Sequence, residues 1–288
     1  MKTYRQIVRD LRQVYPEGEA CALARWLCEE RFGLTQTDLL LDKDNHLSAD
    51  DLENLQEITF RLIHHEPIQY ILGYTTFCGH RFRVAPGVLI PRPETQEMVQ
   101  RILASLSPEE KSASLRILDI GTGSGCIAIS LSLALPNAEV TAWDISEEAL
   151  VVARQNLALY PEAHVTLQQM DILNPSDELR RWDIIVSNPP YICQSEAASM
   201  ERNVLDHEPQ LALFVPDDDP LLFYRAIAEY AHAHLAAEGQ IWLEINQRFG
   251  AEIAELIDKI CALPAKPLED SFGHIRFVNA RPEICKKD

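Results

Sequence analysis

Apolar residues along this chain follow two different periods. Up to about residue 65 they recur at helical spacing. Tyr4, Ile7, Val8, Leu11, Val14 and Tyr15 fall at i, i+3, i+4 and i+7 and make one face, and Pro16 ends the predicted helix. A second helix covers EACALARWLCEERF (19–32) and stops at Gly33, a residue suited to a helix C-terminus. A third starts after Ser48, with Asp51 three residues on in a capping-box pattern, and runs to about His65. His64 and His65 are adjacent and so point in different directions, which marks a solvated helix end rather than a metal pair.

From Glu66 the pattern changes. The stretch 66–95 carries Gly73, Gly79 and Gly87, alternating Phe82 and Val84, and a run of prolines, and it predicts a β-hairpin followed by a linker ending near Pro93. Beyond it, apolar runs of strand length occur at 115–120, 138–145, 164–172, 182–188, 240–245 and 274–280, with helical segments between the early ones. Alternating strands and helices predict an α/β fold, doubly wound around a mainly parallel sheet. The expected organisation is a helical domain over 1–72, the hairpin and linker over 73–93, and the α/β domain over 94–288.

The glycine loop in ILDIGTGSGCIAI lies between a strand and a helix. Gly121, Gly123 and Gly125 let the backbone come close to a ligand, with Thr122 and Ser124 between them, and the following helix offers free N–H groups. The spacing is G-x-G-x-G, not that of a dinucleotide loop. Asp144 ends the next strand, at the distance where an acid accepts ribose hydroxyls in doubly wound sheets. Asp171 is expected to end the third strand, with Ile172 packing on a ring. Together these predict an adenosyl ligand at the carboxyl ends of consecutive strands. Asp119, just before the loop, either orients the loop N–H groups or meets an ammonium on the ligand.

SNPPYI (187–192) ends the fourth strand, because proline cannot donate to a ladder. The Asn188 side-chain oxygen and the Pro189 carbonyl are two acceptors side by side, suited to the two protons of an –NH2 group, and Pro190 stiffens the stretch. Tyr191 offers a flat face to a planar amide or base. The electrophile such a nitrogen meets beside an adenosyl ligand is the methyl of S-adenosylmethionine.

Charge and cysteine content narrow the field. The net charge is -18, and only 10 basic against 13 acidic residues fall in 1–90, so most of the excess lies beyond. An acidic surface repels phosphate, which argues against direct nucleic-acid binding. The seven cysteines include no C-x-x-C pair, which argues against a disulfide framework or a structural zinc site, and Cys193 has no histidine marked as its base. No metal is expected. No apolar run approaches the ~20 residues of a bilayer span, and the amino-terminal residues do not form a secretory signal. The expected location is cytoplasmic.

The motifs DIGTGSG, WDI, SNPPYI and VLIPRPET together resemble the release factor glutamine N5-methyltransferases of the HemK type. The resemblance extends through EPIQYILGYTTFCGHRFRV, HEPQLAL and FGHIRFV, covering most of 66–280. It implies a seven-stranded class I (Rossmann-like) methyltransferase domain with a terminal antiparallel strand, joined to a small helical domain that engages a protein substrate. It implies S-adenosylmethionine as cofactor, S-adenosylhomocysteine as product, and the glutamine of a Gly-Gly-Gln loop in release factors as target. Carried over by motif, Gly121, Thr122, Gly123, Ser124, Gly125, Asp144, Asp171, Ile172 and Asn188 contact the cofactor; Asn188, Pro189, Pro190 and Tyr191 contact the substrate; and Asn188, Pro189 and Tyr191 carry catalysis. The family often has PRPETE where this chain has PRPETQ, ending in Gln96. Arg92 and Glu94 form either a pair over the cofactor or a salt bridge at a domain junction, and Glu208 lies near the substrate channel. The alternatives are a glutamine methyltransferase of a ribosomal protein, an amino-methyltransferase of a nucleic-acid base, and a catalytically dead cofactor-binding module.

Overall fold

A computed structural model describes residues 3–41, 48–176 and 180–282. The chain divides into two compact units, one of residues 1–74 with 200–207, the other of 75–199 with 208–288.

In the first unit the helices are Thr3–Leu11, Glu17–Phe32, Gln36–Leu40, Ala49–Ile63, Ile68–Leu72 and, from later in the chain, Arg202–His207. Ile7, Leu11, Ala20, Ala24, Leu27, Leu55, Ile58 and Leu62 form its core. The first helix ends at Leu11, earlier than expected, and Val14 is exposed. Pro16 is extended (φ -55°, ψ 151°) and starts the next helix, so its constraint on the preceding residue closes the first one early. The Ser48–Asp51 capping box is present, with the Ser48 side chain accepting from the Asp51 N–H and the Asp51 carboxylate accepting from the Ser48 N–H. His64 caps the end of that helix, and its ring lies 2.8 Å from the Phe60 carbonyl. Two short helices escaped the periodicity, Gln36–Leu40 and Ile68–Leu72, because five residues make too few turns to show a face.

A hairpin follows, β1 (Tyr74–Phe77) and β2 (His80–Arg83), which belongs to the second unit from Thr75 onward. Cys78 and Gly79 both have positive φ, 50° and 79°, the two-residue turn that matches strand twist. The Gln96 side-chain oxygen accepts the Cys78 N–H at 2.7 Å and holds this turn.

The main sheet has seven strands: β3 (Arg116–Ile120), β4 (Glu139–Asp144), β5 (Val165–Gln169), β6 (Trp182–Ser187), β9 (Leu235–Glu244), β10 (Ala265–Glu269) and β11 (Ile275–Ala280). A small separate pair is β7 (Ile192–Cys193) with β8 (Phe214–Val215). The main order is β10-β11-β9-β6-β3-β4-β5. Strands β9, β6, β3, β4 and β5 run parallel, while β11 is antiparallel to β9 and β10 to β11. The seventh strand, β10, gave no apolar run because it is an edge strand carrying Lys266 and Pro267. Both sheet faces are covered. On β6, Ile184 and Val186 join one core and Ile185 the other, as alternation requires, while Trp182, beyond a register shift against β9 between Trp182 and Ile184, joins the core of Ile185.

The chain builds β3, β4 and β5 outward in one direction, then returns to place β6 on the other side of β3. That reversal opens a crevice at the carboxyl ends of β3 and β6, where open α/β sheets bind ligands. The Ser187 hydroxyl donates to the Ile120 carbonyl at 2.7 Å and latches the two strand ends together. Among the described residues no helix is long and apolar enough to cross a membrane.

Candidate active site

A cavity of about 390 Å³ lies over that crevice. It is lined by the glycine loop after β3, by Asp144 and Ile145 after β4, by 170–173 after β5, by 187–190 after β6, and by parts of 87–95 and 209–212.

The loop is held from below by backbone. Gly121 and Thr122 N–H both donate to the Trp143 carbonyl at 2.8 Å, and Gly123 N–H donates to Asp144 Oδ2 at 2.8 Å. Gly123 has φ 55°, and a Cβ on it would stand in open space, so a ligand can approach the backbone there. Gly125, at φ 81°, is tight instead: a Cβ would meet Ile129 Cδ1 at 3.1 Å and the Ala153 Cβ at 3.3 Å. Gly121, Thr122, Gly123 and Ser124 line the cavity, while Gly125 packs behind it against the helix Cys126–Ala134.

Asp119 is fully buried and does not line the cavity. Its Oδ2 accepts the Thr122 hydroxyl at 2.6 Å and the Ala128 N–H at 3.2 Å, so of the two roles open to it, the structure shows loop orientation. Burial pushes its carboxyl up to about 7, against the pull of these two bonds. Asp144 lines the cavity and accepts from Gly123 and, at 2.9 Å, from the Ser146 N–H; burial raises its carboxyl too.

Asp171 and Ile172 also line the cavity. The strand before them stops at Gln169, two residues sooner than expected. Asp171 sits in a turn, with one oxygen accepting the Leu173 N–H at 2.9 Å and the other the Asn174 side-chain amide at 3.1 Å. Ile145, Ile172 and Leu173 give this end an apolar wall. Open glycine backbone, a carboxylate at a strand end and an apolar wall suit a ligand that carries hydroxyls at one end and a flat apolar ring at the other. Among the described residues no three His, Cys, Asp or Glu side chains are grouped to hold a metal ion.

Asn188, Pro189 and Pro190 line the same cavity, next to the glycine loop. Asn188 donates through Nδ2 to Thr95 Oγ1 at 3.1 Å, which leaves its carbonyl oxygen as the end available to a ligand. Tyr191 is not part of the lining. Its hydroxyl donates to Glu244 Oε1 at 3.1 Å, and burial, with the Glu244 charge beside it, drives that hydroxyl far above its usual range. Its ring packs with the sheet core rather than standing open as a platform.

The linker corrects one expected pairing. Arg92 bonds Glu208, not Glu94, at 2.5 Å, and the other Glu208 oxygen accepts the Ile90 N–H at 3.0 Å. With its side chain 1% exposed, Glu208 fastens the stretch 90–92 along the cavity wall. Gln96, at the position where the family often has Glu, faces the hairpin turn and is absent from the lining. Cys193 is buried, and burial raises its thiol, so it is not poised as a nucleophile. Cys285 lies outside the described residues.

Two residues at this site were not singled out from the sequence. Thr95 donates to Glu244 Oε2 at 2.6 Å and lines the cavity. Glu244 is 1% exposed at the end of β9. The available signal was the lone carboxylate in the apolar run QIWLEI, since a buried charge needs partners.

Two family models match the chain, the PrmC N-terminal domain over residues 2–73 and the methyltransferase small domain over 97–209. The release factor glutamine methyltransferase of Bacteroides thetaiotaomicron is 48% identical over 95% of this chain and 97% of its own length. The protein of the same name from Flavobacterium psychrophilum is 42% identical over 96% and 98%. This chain belongs to the release factor glutamine methyltransferase family. A third such relative, from Streptococcus pneumoniae, is 40% identical over 91% of the chain and 92% of its own length.

Solved structures share the fold at lower identity. A 16S rRNA methyltransferase of T. thermophilus superposes with a TM-score of 0.53 at 18% identity, covering 73% of this chain and 49% of that one. A methyltransferase from Pyrococcus furiosus gives 0.52 at 18%, covering 78% and 98%. At such identity the likeness establishes the sheet and its helices, and leaves the substrate to the site itself.

Proposed function

We propose that this chain methylates the side-chain amide nitrogen (N5) of the glutamine in the Gly-Gly-Gln loop of peptide-chain release factors. The observation that carries the reading is the Asn188–Pro190 wall beside the open glycine loop, in a chain whose full-length relatives are release factor glutamine methyltransferases.

Gly121, Thr122, Gly123, Ser124, Asp144, Asp171 and Ile172 hold the cofactor in this reading, Gly125 supports the loop from behind, and Asn188 borders both ligands. S-adenosylmethionine supplies an electrophilic methyl group and departs as S-adenosylhomocysteine. The remaining work belongs to the protein. Asn188 Oδ1 and the Pro189 carbonyl accept the two amide hydrogens of the glutamine, which fixes the plane of its –NH2 group. An amide nitrogen is a weak nucleophile because its lone pair is delocalised, so positioning is the main lever, worth roughly 7–11 kcal/mol when near-attack geometry is reached. The nitrogen gives up one proton once methylated, through these acceptors or water. Pro190 keeps the stretch stiff, and Tyr191 contributes through its bond to Glu244.

The helical unit is assigned to recognition of the protein substrate, and the reaction to the cytoplasm, where release factors work. On this reading a short peptide bearing the Gly-Gly-Gln loop has a higher KM than the whole factor, with similar kcat. Equal KM values would remove that role from the helical unit.

The deciding experiment is peptide mass spectrometry after incubation with S-adenosylmethionine and an unmodified release factor. One added methyl on the Gly-Gly-Gln glutamine is the expected result. No methyl there, with the cofactor still bound, would overturn the substrate assignment.

A further inference from the structure

The Asn188 side chain is useful only one way round. Its carbonyl oxygen can accept from a substrate –NH2 group, whereas its own –NH2 end would confront that group donor to donor. The two ends are nearly equal in shape, so something must choose between them.

The choice is made by hydrogen-bond direction. Glu244 Oε2 lies 2.6 Å from Thr95 Oγ1, and an ionised carboxylate can only accept. The single Thr95 hydroxyl proton is therefore spent on Glu244. Toward Asn188 the Thr95 oxygen can then only accept, and the end of Asn188 that satisfies it is Nδ2, found at 3.1 Å. The other carboxylate oxygen accepts the Tyr191 hydroxyl at 3.1 Å, so both oxygens are engaged, and the Glu244 backbone carbonyl accepts the Tyr224 hydroxyl at 3.2 Å. Sheet register brings the parts together. Ser187 on β6 is opposite Leu243 on β9, which places Glu244 alongside Asn188, while Thr95 arrives from the helix Pro93–Ser105. Thr95 and Glu244 are 3% and 1% exposed, so water does not compete for these bonds.

We propose that Glu244 is a positioning residue which, acting through Thr95, orients the Asn188 amide with its carbonyl toward the substrate. This rests on the methyl-transfer reading given above. It also gives the polarity of the relay a condition, because a protonated Glu244 can donate to Thr95 and release the Thr95 proton toward Asn188 Oδ1, which favours the inverted amide.

The groups around Glu244 set where that happens. Burial raises its carboxyl to about 6, while the bonds from Thr95 and Tyr191 and the Arg276 charge on β11 pull it down and the Glu94 charge on the Thr95 helix pushes it up. Arg92, on the linker, and Arg276 also act on Tyr191; Tyr224 faces the pair from the helix Leu222–His234. The ionised, correctly directed relay is present above about pH 6 and is lost as pH falls through that value.

The test compares wild type, Glu244→Gln, Thr95→Val, Thr95→Ser and the double variant Glu244→Gln/Thr95→Val. Three readouts are used: steady-state kinetics on a release factor, S-adenosylhomocysteine affinity by calorimetry, and hydrogen exchange of the Asn188 side-chain ¹⁵NH₂ by NMR. Glu244→Gln and Thr95→Val are each expected to lower kcat by about 10²-fold with little change in KM. Thr95→Ser should recover to within a few fold, and the double variant should be no worse than either single one. Wild-type kcat should fall below about pH 6, and that limb should be absent in Glu244→Gln. The Asn188 –NH2 protons should exchange faster in both single variants, with S-adenosylhomocysteine affinity kept within a few fold.

Unchanged kcat in Glu244→Gln and Thr95→Val, losses that multiply in full in the double variant, or losses confined to KM would each overturn the proposal. Should Glu244→Gln fail to fold, the near-isosteric Thr95→Val decides on the same readouts. The NMR measurement needs no methyl acceptor. Altered Asn188 exchange in an enzyme that methylates no release factor would uphold the relay and sink the substrate assignment; unaltered exchange in an active enzyme would do the reverse.

Discussion

The two sides of the cavity are built by different means. On the β3–β4 side, backbone does most of the holding of the loop: Gly121, Thr122 and Gly123 donate N–H groups to Trp143 and Asp144, and the Asp119–Thr122 bond adds a side-chain link. On the β6–β9 side, side chains do it: Asn188, Thr95, Glu244 and Tyr191, from three separate stretches, meet in one hydrogen-bond network that converges on Glu244. The first arrangement tolerates changes that keep the backbone path. The second depends on every donor and acceptor, because a half-satisfied buried network is worse than none. Cofactor binding and substrate orientation should therefore respond to different mutations in different ways.

The sharpest contrast is at Asn188. Asn188→Ala is expected to lower kcat by about 10³-fold, comparable to the loss of a single transition-state hydrogen-bonding group. S-adenosylhomocysteine binding should be weakened yet measurable by calorimetry. Activity equal to wild type would end the case for two fixed acceptors.

Gly125→Ala probes the opposite side. The new Cβ meets Ile129 and Ala153 at 3.1 and 3.3 Å and sits at φ 81°, a conformation worth about 1–3 kcal/mol of strain for a side chain. The expected effect is roughly a tenfold rise in cofactor Kd with a smaller change in kcat at saturation. A loss confined to kcat would mean that the two sides are not separable.

Asp119→Asn acts on stability. With its folded-state carboxyl raised to about 7 from an ordinary value of 3.8, Asp119 contributes stability that is present below about pH 4 and lost as pH rises through 7. The variant keeps an oxygen for Thr122 and Ala128 but no charge. Its Tm at pH 8 should exceed wild type by a few degrees, about what 1 kcal/mol gives in a domain of this size, and the gap should shrink toward pH 5. A gap that widens on acidification would contradict the sign.

Gln96→Glu is the smallest. Its carboxylate can still accept the Cys78 N–H, and the position lies outside the cavity lining. Kinetics of methyl transfer within about twofold of wild type are expected; a large change would connect the hairpin turn to the site.

Much of this was legible without a fold. The glycine loop is local: strand, turn and helix follow one another, so Gly121 to Gly125 identify themselves by spacing. Asp144 follows because the next strand must end at the same edge. The Ser48–Asp51 cap and the stop of β6 at Ser187, next to Asn188 and two prolines, are likewise dictated by neighbours in sequence. The resemblance to a family rested on these same contiguous runs.

What the sequence determined by itself, then, was the succession of elements and the two loops that line the cavity, because periodicity, proline and glycine act over a few residues. Only the tertiary structure decided that β6 returns beside β3, bringing Asn188 to the glycine loop, and that Arg92 pairs with Glu208, 116 positions away, rather than with Glu94. It also decided that Thr95 and Glu244, 149 positions apart, share one short hydrogen bond. Hydrogen bonds are specified by distance and direction in space, and neither is written in the spacing of residues along a chain.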